Sequence, residues 1–269
     1  MMKRFVLVML VITAFIPVLT AQENVTLTTT EITNKDANLF LFPTAYTKQK
    51  AQYEVHFEME PFMTQFTIGV SNRLMLGVSY GGENVVGTDD PDWFPRVEFI
   101  GKYRMIDETY SWPAIAIGFS SVGWGHYFDE YDRYLVKSRG FYLNFSKQMA
   151  FLGGTGVNGG INYSVEGSSE EKKEGLSLYG GIVKNINEEL ALIFEYDFAF
   201  NDKGVYRIGD GKGWMNAGLR WTFAPELVID FQVINILQNA STDPTEPVHV
   251  SENYNKIDRN LTITYRAFF

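Results

Sequence analysis

The chain has 269 residues, a formal net charge of −9, no cysteine, and 15% aromatic residues. The acidic balance leaves no basic patch for nucleic acid, and the absence of cysteine excludes disulfides, thiolate metal sites and a lipid-anchored N-terminal cysteine. High aromatic content with only 45% hydrophobic residues is typical of a transmembrane β-barrel, in which apolar and polar positions alternate.

The N-terminus has the pattern of a secretory signal. Lys3 and Arg4 precede 16 uncharged residues, Phe5 to Thr20, and Ala21 precedes a polar stretch. The uncharged run is shorter than the ~20 residues of a membrane-spanning helix. We predict a signal peptide over 1–21, with an uncleaved anchor as the alternative. Residues 22–51 are the next predicted unit, an N-terminal periplasmic segment that leads into a barrel over 52–269.

Alternation with a period of two predicts strands from residue 52 onward. In QYEVHFEME (52–60) aromatic and aliphatic residues occupy one face, and Glu54, His56, Glu58 and Glu60 occupy the other. The same alternation recurs at 64–70, 74–82, 96–105, 115–119, 141–145, 157–163, 176–182, 190–200, 214–223, 227–233 and 260–269. These segments predict an all-β fold, a transmembrane antiparallel up-and-down β-barrel of about 12 strands. An exported soluble β protein is the alternative.

The lengths of the connections favour the barrel. Short turns are predicted at 71–73, 148–151, 185–189 and 224–226, and longer polar segments at 81–95, 122–133, 166–174, 201–212 and 239–256. Outer-membrane barrels alternate tight periplasmic turns with long external loops in this way. The predicted location is therefore the outer membrane of a Gram-negative-type bacterium.

The inward face of the predicted strands carries charges of both signs. The lumen-lining positions are Glu54, His56, Glu58, Glu60, Glu98, Lys102, Arg104, Glu195, Asp197, Arg220, Asp230 and Arg266. Two interpretations stay open, because a narrow barrel would pair these groups in a filling network, whereas a wider one would expose them to water as a selective channel.

No residue pattern predicts catalysis. His126 lies near acidic residues in a predicted loop, but a second His/Asp set is missing for a hydrolase. The strand-spaced Glu-x-His-x-Glu around His56 matches no recognised metal-ligand spacing. We therefore expect no enzyme activity, no cofactor and no metal.

The last residues match a second export feature. Tyr265 and Phe269 occupy alternate positions of the final strand, and Phe269 is the terminal residue. This resembles the C-terminal signature that the barrel assembly machinery recognises in its clients, so we predict that machinery and outer-membrane lipid as partners.

Three stretches resemble the YjbH-like proteins, outer-membrane barrels associated with exopolysaccharide biosynthesis and export. They are NLFLFPTAYTKQKAQYEVHF (38–57) with its Pro43-Thr44-Ala45, TIGVSNRLMLGVSY (67–80) and RVEFIGKYRMIDETYSWPAIAIGFSSVG (96–123). The resemblance implies an accessory role in polysaccharide export and supplies no catalytic residues. The first functional hypothesis is thus a narrow pore or export accessory that handles polysaccharide or small polar solutes. The alternative is a non-conducting structural or surface-interaction barrel that acts through its external loops.

Overall fold

The structure is a computed structural model that describes residues 35–85, 90–149, 153–167, 175–203, 207–243 and 250–269. The predicted signal peptide, 1–21, and the first part of the predicted N-terminal segment, 22–34, lie outside the described residues. Within the described ranges no helix is long and apolar enough to cross a membrane.

The described chain contains β-strands, the loops that connect them and almost no helix. In chain order its strands are β1 (Gln52–Met59), β2 (Phe62–Gly69), β3 (Leu74–Glu83), β4 (Asp92–Trp93), β5 (Glu98–Ile106), β6 (Ala114–Ser120), β7 (Trp124–Phe128), β8 (Arg133–Val136), β9 (Gly140–Met149), β10 (Thr155–Tyr163), β11 (Ser177–Asn185), β12 (Leu190–Asp197), β13 (Trp214–Ala224), β14 (Leu227–Ile234) and β15 (Asp258–Phe268). Short 3-10 turns cover Asp129–Tyr131 and Glu252–Tyr254.

Twelve of these strands form a closed antiparallel barrel. Thirteen strands share one sheet, and β4 pairs only with the end of β3, outside the ring. The ring closes because β1 pairs with β2 on one side and with β15 on the other, and β2 continues to β3. The predicted fold class and strand number are therefore confirmed.

The alternation in the sequence becomes an outer and an inner barrel face. Outward side chains such as Phe99, Phe141 and Phe194 are 58%, 61% and 46% exposed, whereas the inward Glu98 and Glu195 are each 2% exposed. Directly opposite partners share a face, as Arg220 of β13 and Asp230 of β14 do. The inner face is thus polar and largely buried.

Two local predictions differ from the structure. The strand predicted at 190–200 ends at Asp197, because Ala199 adopts a left-handed backbone with φ of 48° that breaks the pleat. The segment 122–133, predicted as a loop, contains β7, which pairs with β8 in a separate two-stranded sheet. We call residues 124–136 the cap hairpin.

The two ends of the barrel differ in the length of their connections. The short-turn end has connections at 70–73, 107–113, 150–154, 186–189 and 225–226, and the long-loop end has connections at 60–61, 84–97, 121–139, 164–176, 198–213 and 235–257. The chain enters β1 from the short-turn end. Residues 35–50 precede that entry, and most of them are buried.

Candidate functional site

The residues before β1 form a hairpin inside the barrel. Leu39 N donates to Phe42 O over 2.8 Å, and Thr44 N donates to Ala37 O over 2.9 Å. Phe42 and Ala45 are fully buried, which only the barrel interior makes possible for so short a segment. We call residues 36–46 the N-terminal hairpin. Because the period-2 alternation begins at residue 52, the sequence pattern gives no indication that this segment occupies the lumen.

Inward side chains of the wall bind the backbone of this hairpin. The Glu195 carboxylate accepts hydrogen bonds from Phe40 N and Leu41 N, both at 3.1 Å, and one from the Asn216 side chain at 2.8 Å. On the opposite wall, the Lys102 ammonium donates to the carbonyls of Ala37 and Tyr46. Buried backbone groups that lack such partners are costly. The wall therefore supplies hydrogen-bond partners to backbone groups of the hairpin that water would otherwise bind.

Strand β9 holds the second half of the hairpin in the same way. The Asn144 amide donates to Pro43 O and Thr44 O at 2.8 and 3.0 Å, and the Ser146 hydroxyl accepts from Ala45 N at 2.8 Å. Asn144 and Ser146 are inward-facing, at most 1% exposed, and two residues apart. The period of the strand thus matches the spacing of the hairpin groups that it binds.

A charged cluster fixes the start of the hairpin. Asp36 pairs with Arg220 at 2.8 Å and with Arg266 at 3.0 Å. Arg220 also makes a two-pronged contact with Asp230, with both N–O distances at 2.8 Å. Bidentate pairs of this kind are strong and directional. Asp36 therefore ties the hairpin to two wall strands, β13 and β15.

The apolar side chains of the hairpin fit against small wall residues. A Cβ atom on Gly181 of β11 would collide with Leu39, and one on Gly218 of β13 would lie 2.8 Å from Cζ of Phe40. Phe42 packs on Tyr179 with ring centroids 5.4 Å apart, and the Arg139 guanidinium lies 4.8 Å from the Phe42 ring centre. The wall is thus shaped to the hairpin as well as bonded to it.

The cap hairpin closes the long-loop end. Trp124 donates its indole N–H to Glu58 of β1 at 2.7 Å, and Arg133 pairs with Asp202 of the 198–213 loop at 2.7 Å. Trp124, Leu135 and Val136 belong to a buried apolar cluster whose other members are Ala199, Ile208, Trp214, Ile234, Ala240 and Val250. The cap hairpin therefore contacts strand β1 and the loops that follow β12 and β14.

The Arg133–Asp202 pair is deeply buried in the loops. Burial alone would raise the pKa of Asp202, but the Arg133 guanidinium lowers that pKa below its ordinary value. Asp202 also accepts from the backbone N–H groups of Ile208 and Gly209. A charged Asp202 thus holds both the cap hairpin and its own loop.

Two cavities lined by described residues lie beside these hairpins. A polar vestibule of about 650 Å³ lies at the short-turn end, with Lys48, Arg104 and Glu189 among its walls. A smaller compartment of about 110 Å³ lies between the N-terminal hairpin and the cap hairpin, and Phe40, Trp124 and Tyr142 are among the residues that line it. Glu54 borders both.

The predicted lumen residues lie on the inner face, with one exception. Glu54, His56 and Glu58 line the small compartment from β1, as do Arg220, Asp230 and Arg266 from β13 to β15. The remaining inward positions pair with other groups: Glu98 with Arg96, Lys102 and Glu195 with the N-terminal hairpin, Arg104 with Asp107, and Asp197 with Arg139. Glu60 lies in the turn after β1, and its side chain is 77% exposed, because the strand ends at Met59.

The C-terminal residues lie on the outer face. Tyr265 is 44% and Phe269 80% exposed, and the Phe269 ring lies 4.9 Å from that of Tyr53 across the β1–β15 seam. Phe269 N donates to Ala51 O at 3.1 Å. Their role as an assembly signal stays a prediction.

His126 joins three segments at the long-loop end. Its Nδ1 lies 2.6 Å from a carboxylate oxygen of Glu83, and its ring stacks on Tyr254 with centroids 4.5 Å apart. Phe128 packs edge-on against the same ring. Among the described residues, no cluster of three or more His, Asp or Glu side chains has metal-site geometry. These contacts give His126 a role in fastening the loops.

Comparison with known proteins gives structural likeness only. No family model and no curated protein matches the chain. Of the solved structures, 27 chains are similar. They include a KdgM porin (14% identity, 81% of this chain, 99% of that chain, TM-score 0.48) and a NanC porin (11%, 81%, 98%, 0.40). A third is outer membrane phospholipase A from Escherichia coli (11%, 90%, 99%, 0.38).

Proposed function

We propose that the chain is an outer-membrane β-barrel whose lumen is a narrow pore, closed at rest by the N-terminal hairpin and the cap hairpin. The observation that carries the proposal is the way the N-terminal hairpin is held. It is bound to the wall by hydrogen bonds, ion pairs and packing, and it enters from outside the ring of strands. A segment held in this way can leave without breaking any strand pairing.

The outer face supports a location in a membrane. Large apolar side chains are exposed on the wall strands, among them Phe99, Phe141, Phe194, Phe231 and Ile182. Burying such area in lipid is favourable by ~25 cal/mol per Å². Closed barrels leave no unpaired strand edge, as the interior of a bilayer requires.

With this number of strands, the lumen is wider than the side chains of the wall alone would fill. Eight strands enclose a space that side chains alone fill, whereas wider barrels hold a ligand or leave a channel. This barrel has twelve. The N-terminal hairpin fills part of that additional space, so its departure would leave a water-filled path lined by charged groups.

The cap hairpin favours a second candidate, a barrel that never conducts and acts through its loops. Its apolar cluster joins three long loops into one buried unit at the long-loop end.

The resemblance to YjbH-like proteins suggests surface polysaccharide export as the setting for either candidate. Neither proposal assigns catalytic activity, and outer-membrane lipid and the barrel assembly machinery remain the proposed partners.

Planar-bilayer recording separates the two candidates. The protein from residue 22 onward is refolded in detergent beside a variant that lacks residues 22–48, and both are checked for folding by their heat-dependent mobility on gels. A closed pore predicts rare openings for the first protein and frequent, discrete current steps for the variant. A folded variant that stays as silent as the longer protein even when it also carries Trp124→Ala, which removes the bond of the cap hairpin to Glu58, would support the non-conducting barrel.

A further inference from the structure

The small compartment lies between the N-terminal hairpin and the cap hairpin. Leu39 and Phe40 of the N-terminal hairpin border it from one side, and Trp124 and Val136 of the cap hairpin border it from the other. Its volume is about 110 Å³. Because one water molecule needs ~10–15 Å³ of such volume, the compartment has room for about seven to eleven water molecules. A small polyol or a single sugar has a similar number of non-hydrogen atoms.

The charged groups around the compartment balance one another. Its acidic lining residues are Asp36, Glu54, Glu58 and Asp230, and its basic ones are Lys137, Arg139, Arg220 and Arg266. Arg220 and Arg266 hold Asp36, and Arg220 also holds Asp230. With four groups of each sign, the lining has no net formal charge. A charged solute would enter a buried site without a net counter-charge, which is unfavourable.

Three more lining charges are engaged outside the compartment. Glu54 pairs with Lys48 at 2.7 Å, Arg139 pairs with Asp197, and Lys137 donates to Asn201 O at 3.0 Å. Glu58 differs, because it accepts hydrogen bonds from the uncharged donors of Trp124 and Asn260. Its carboxylate is a hydrogen-bond acceptor at the border of the compartment.

Tyr142 supplies a polar group that has no partner in the described part of the chain. The residue is 5% exposed and lines the compartment, and its hydroxyl makes no hydrogen bond to any described residue. Its ring lies over Gly118, where a Cβ atom would collide with the ring and the hydroxyl, so its position is fixed by the neighbouring strand. A buried hydroxyl without a partner is unfavourable. Its oxygen has almost no exposed surface, so a bound hydroxyl group would satisfy it by displacing the side chains between it and the compartment.

We infer that this compartment binds one neutral, hydroxyl-rich solute, a small polyol or a single neutral sugar, between the two closures. Tyr142 and Glu58 provide a donor and an acceptor, and Gln65 and His56 lie on the same border. The inference rests on the proposed closed pore and names the class of solute that the pore would admit.

Equilibrium dialysis of the folded protein tests this assignment. The protein from residue 22 onward is refolded and then dialysed against known concentrations of radiolabelled xylose until the bound amount no longer changes. We expect saturable binding of about one xylose per barrel. Glucuronate and glucosamine, which carry opposite charges, should bind at least tenfold more weakly. Charged sugars that bind as well as xylose would overturn the assignment.

Two variants identify the site. Tyr142→Phe keeps the ring over Gly118 and removes only the hydroxyl, so xylose affinity should fall about fivefold, as expected for one hydrogen bond. Gln65→Leu should also weaken binding, whereas the outward-facing Tyr103→Phe should leave it unchanged. Equal affinity in all three folded variants would place any binding elsewhere. If xylose fails to bind while the variant that lacks residues 22–48 shows frequent openings, the solute assignment is wrong and the closed pore stands. Steady currents through the protein from residue 22 onward would contradict the closed pore itself.

Discussion

Neighbouring residues of one strand meet opposite surroundings in this barrel. Phe194 of β12 projects outward and is 46% exposed, while Glu195 projects inward and binds the backbone of the N-terminal hairpin. The alternation of a strand makes this contrast unavoidable, because successive side chains point to opposite faces. Whether a strand position accepts an apolar or a charged side chain therefore depends on whether that position faces outward or inward.

A charge placed at these two positions should have unequal effects. Phe194→Arg would expose a guanidinium to lipid, at a cost of ~2–4 kcal/mol near the middle of a membrane, so folding into vesicles should be impaired. Glu195→Gln should still fold, because the amide oxygen can accept from Phe40 and Leu41. Heat-dependent gel mobility after refolding into vesicles measures both. Equal folding yields for the two variants would contradict the assigned faces of β12.

In the proposed closed pore, Asp36 ties the N-terminal hairpin to two wall strands. Asp36→Asn removes the negative charge that Arg220 and Arg266 share, and a hydrogen bond to a charged group contributes ~1.5–3 kcal/mol. Since ~1.4 kcal/mol corresponds to a tenfold change in an equilibrium, the fraction of open time in bilayer recordings should rise at least tenfold. Asp210→Asn is the matched control, because Asp210 is a half-exposed loop residue that pairs with Lys212. Unchanged open time in Asp36→Asn would remove this ion pair from the account of closure.

At the scale of elements, the sequence predicted what depends on alternation. All twelve wall strands follow from period-2 patterns, and residues such as Glu58, Lys102 and Arg220 could be placed inward by counting from their outward neighbours. Alternation gives no information on which inward groups meet across the lumen. The contact of Glu195 with Phe40 spans 155 positions of the chain. Such a contact depends on the closure of the ring and not on local pattern.

The N-terminal hairpin has only a weak signal in the amino-acid sequence. Leu39 to Phe42 is a run of four apolar residues ended by Pro43, too short to span a membrane and without alternation. A run of this kind is typical of a segment buried on all sides. The cap hairpin had even less signal, because β7 and β8 follow one another within a polar, aromatic loop.

The cap hairpin depends on a buried carboxyl group in the 164–176 connection. Glu166 accepts from Tyr134 N at 3.3 Å and from Ser138 N at 3.1 Å. Burial raises the pKa of Glu166 from its ordinary 4.5 to about 7. The folded loop therefore holds its proton more tightly than the unfolded chain does. The resulting stabilisation is complete below about pH 4.5 and is lost as the pH rises to about 7.

Hydrogen exchange can follow this pH dependence. After correction for intrinsic exchange rates, the amides of Tyr134 and Ser138 should be better protected at about pH 5 than at about pH 8. Glu166→Gln cannot ionise, so its protection should be the same at both values. If protection in Glu166→Gln still fell between these pH values as it does in the unmodified protein, another group would be responsible for the pH dependence.

At the scale of the whole molecule, the proposed closure is distributed over both ends of one lumen. The N-terminal hairpin packs on the wall through one apolar cluster, and the cap hairpin packs on the long loops through another. Both segments use wall residues that an open pore would expose to water, including Glu58 and Glu195. The same inward charges can thus hold a closed state and line an open one.

The most direct test of closure is to fix the N-terminal hairpin to the wall by a reversible bond. The chain has no cysteine, and Ala45 N lies 2.8 Å from Ser146 Oγ, so Ala45→Cys with Ser146→Cys should form a disulfide. In the Asp36→Asn background we predict a silent bilayer after oxidation and frequent openings after a reductant is added. Ala45→Cys alone should respond to neither reagent. Currents in the oxidised pair as large as those in the reduced pair would contradict closure by the N-terminal hairpin.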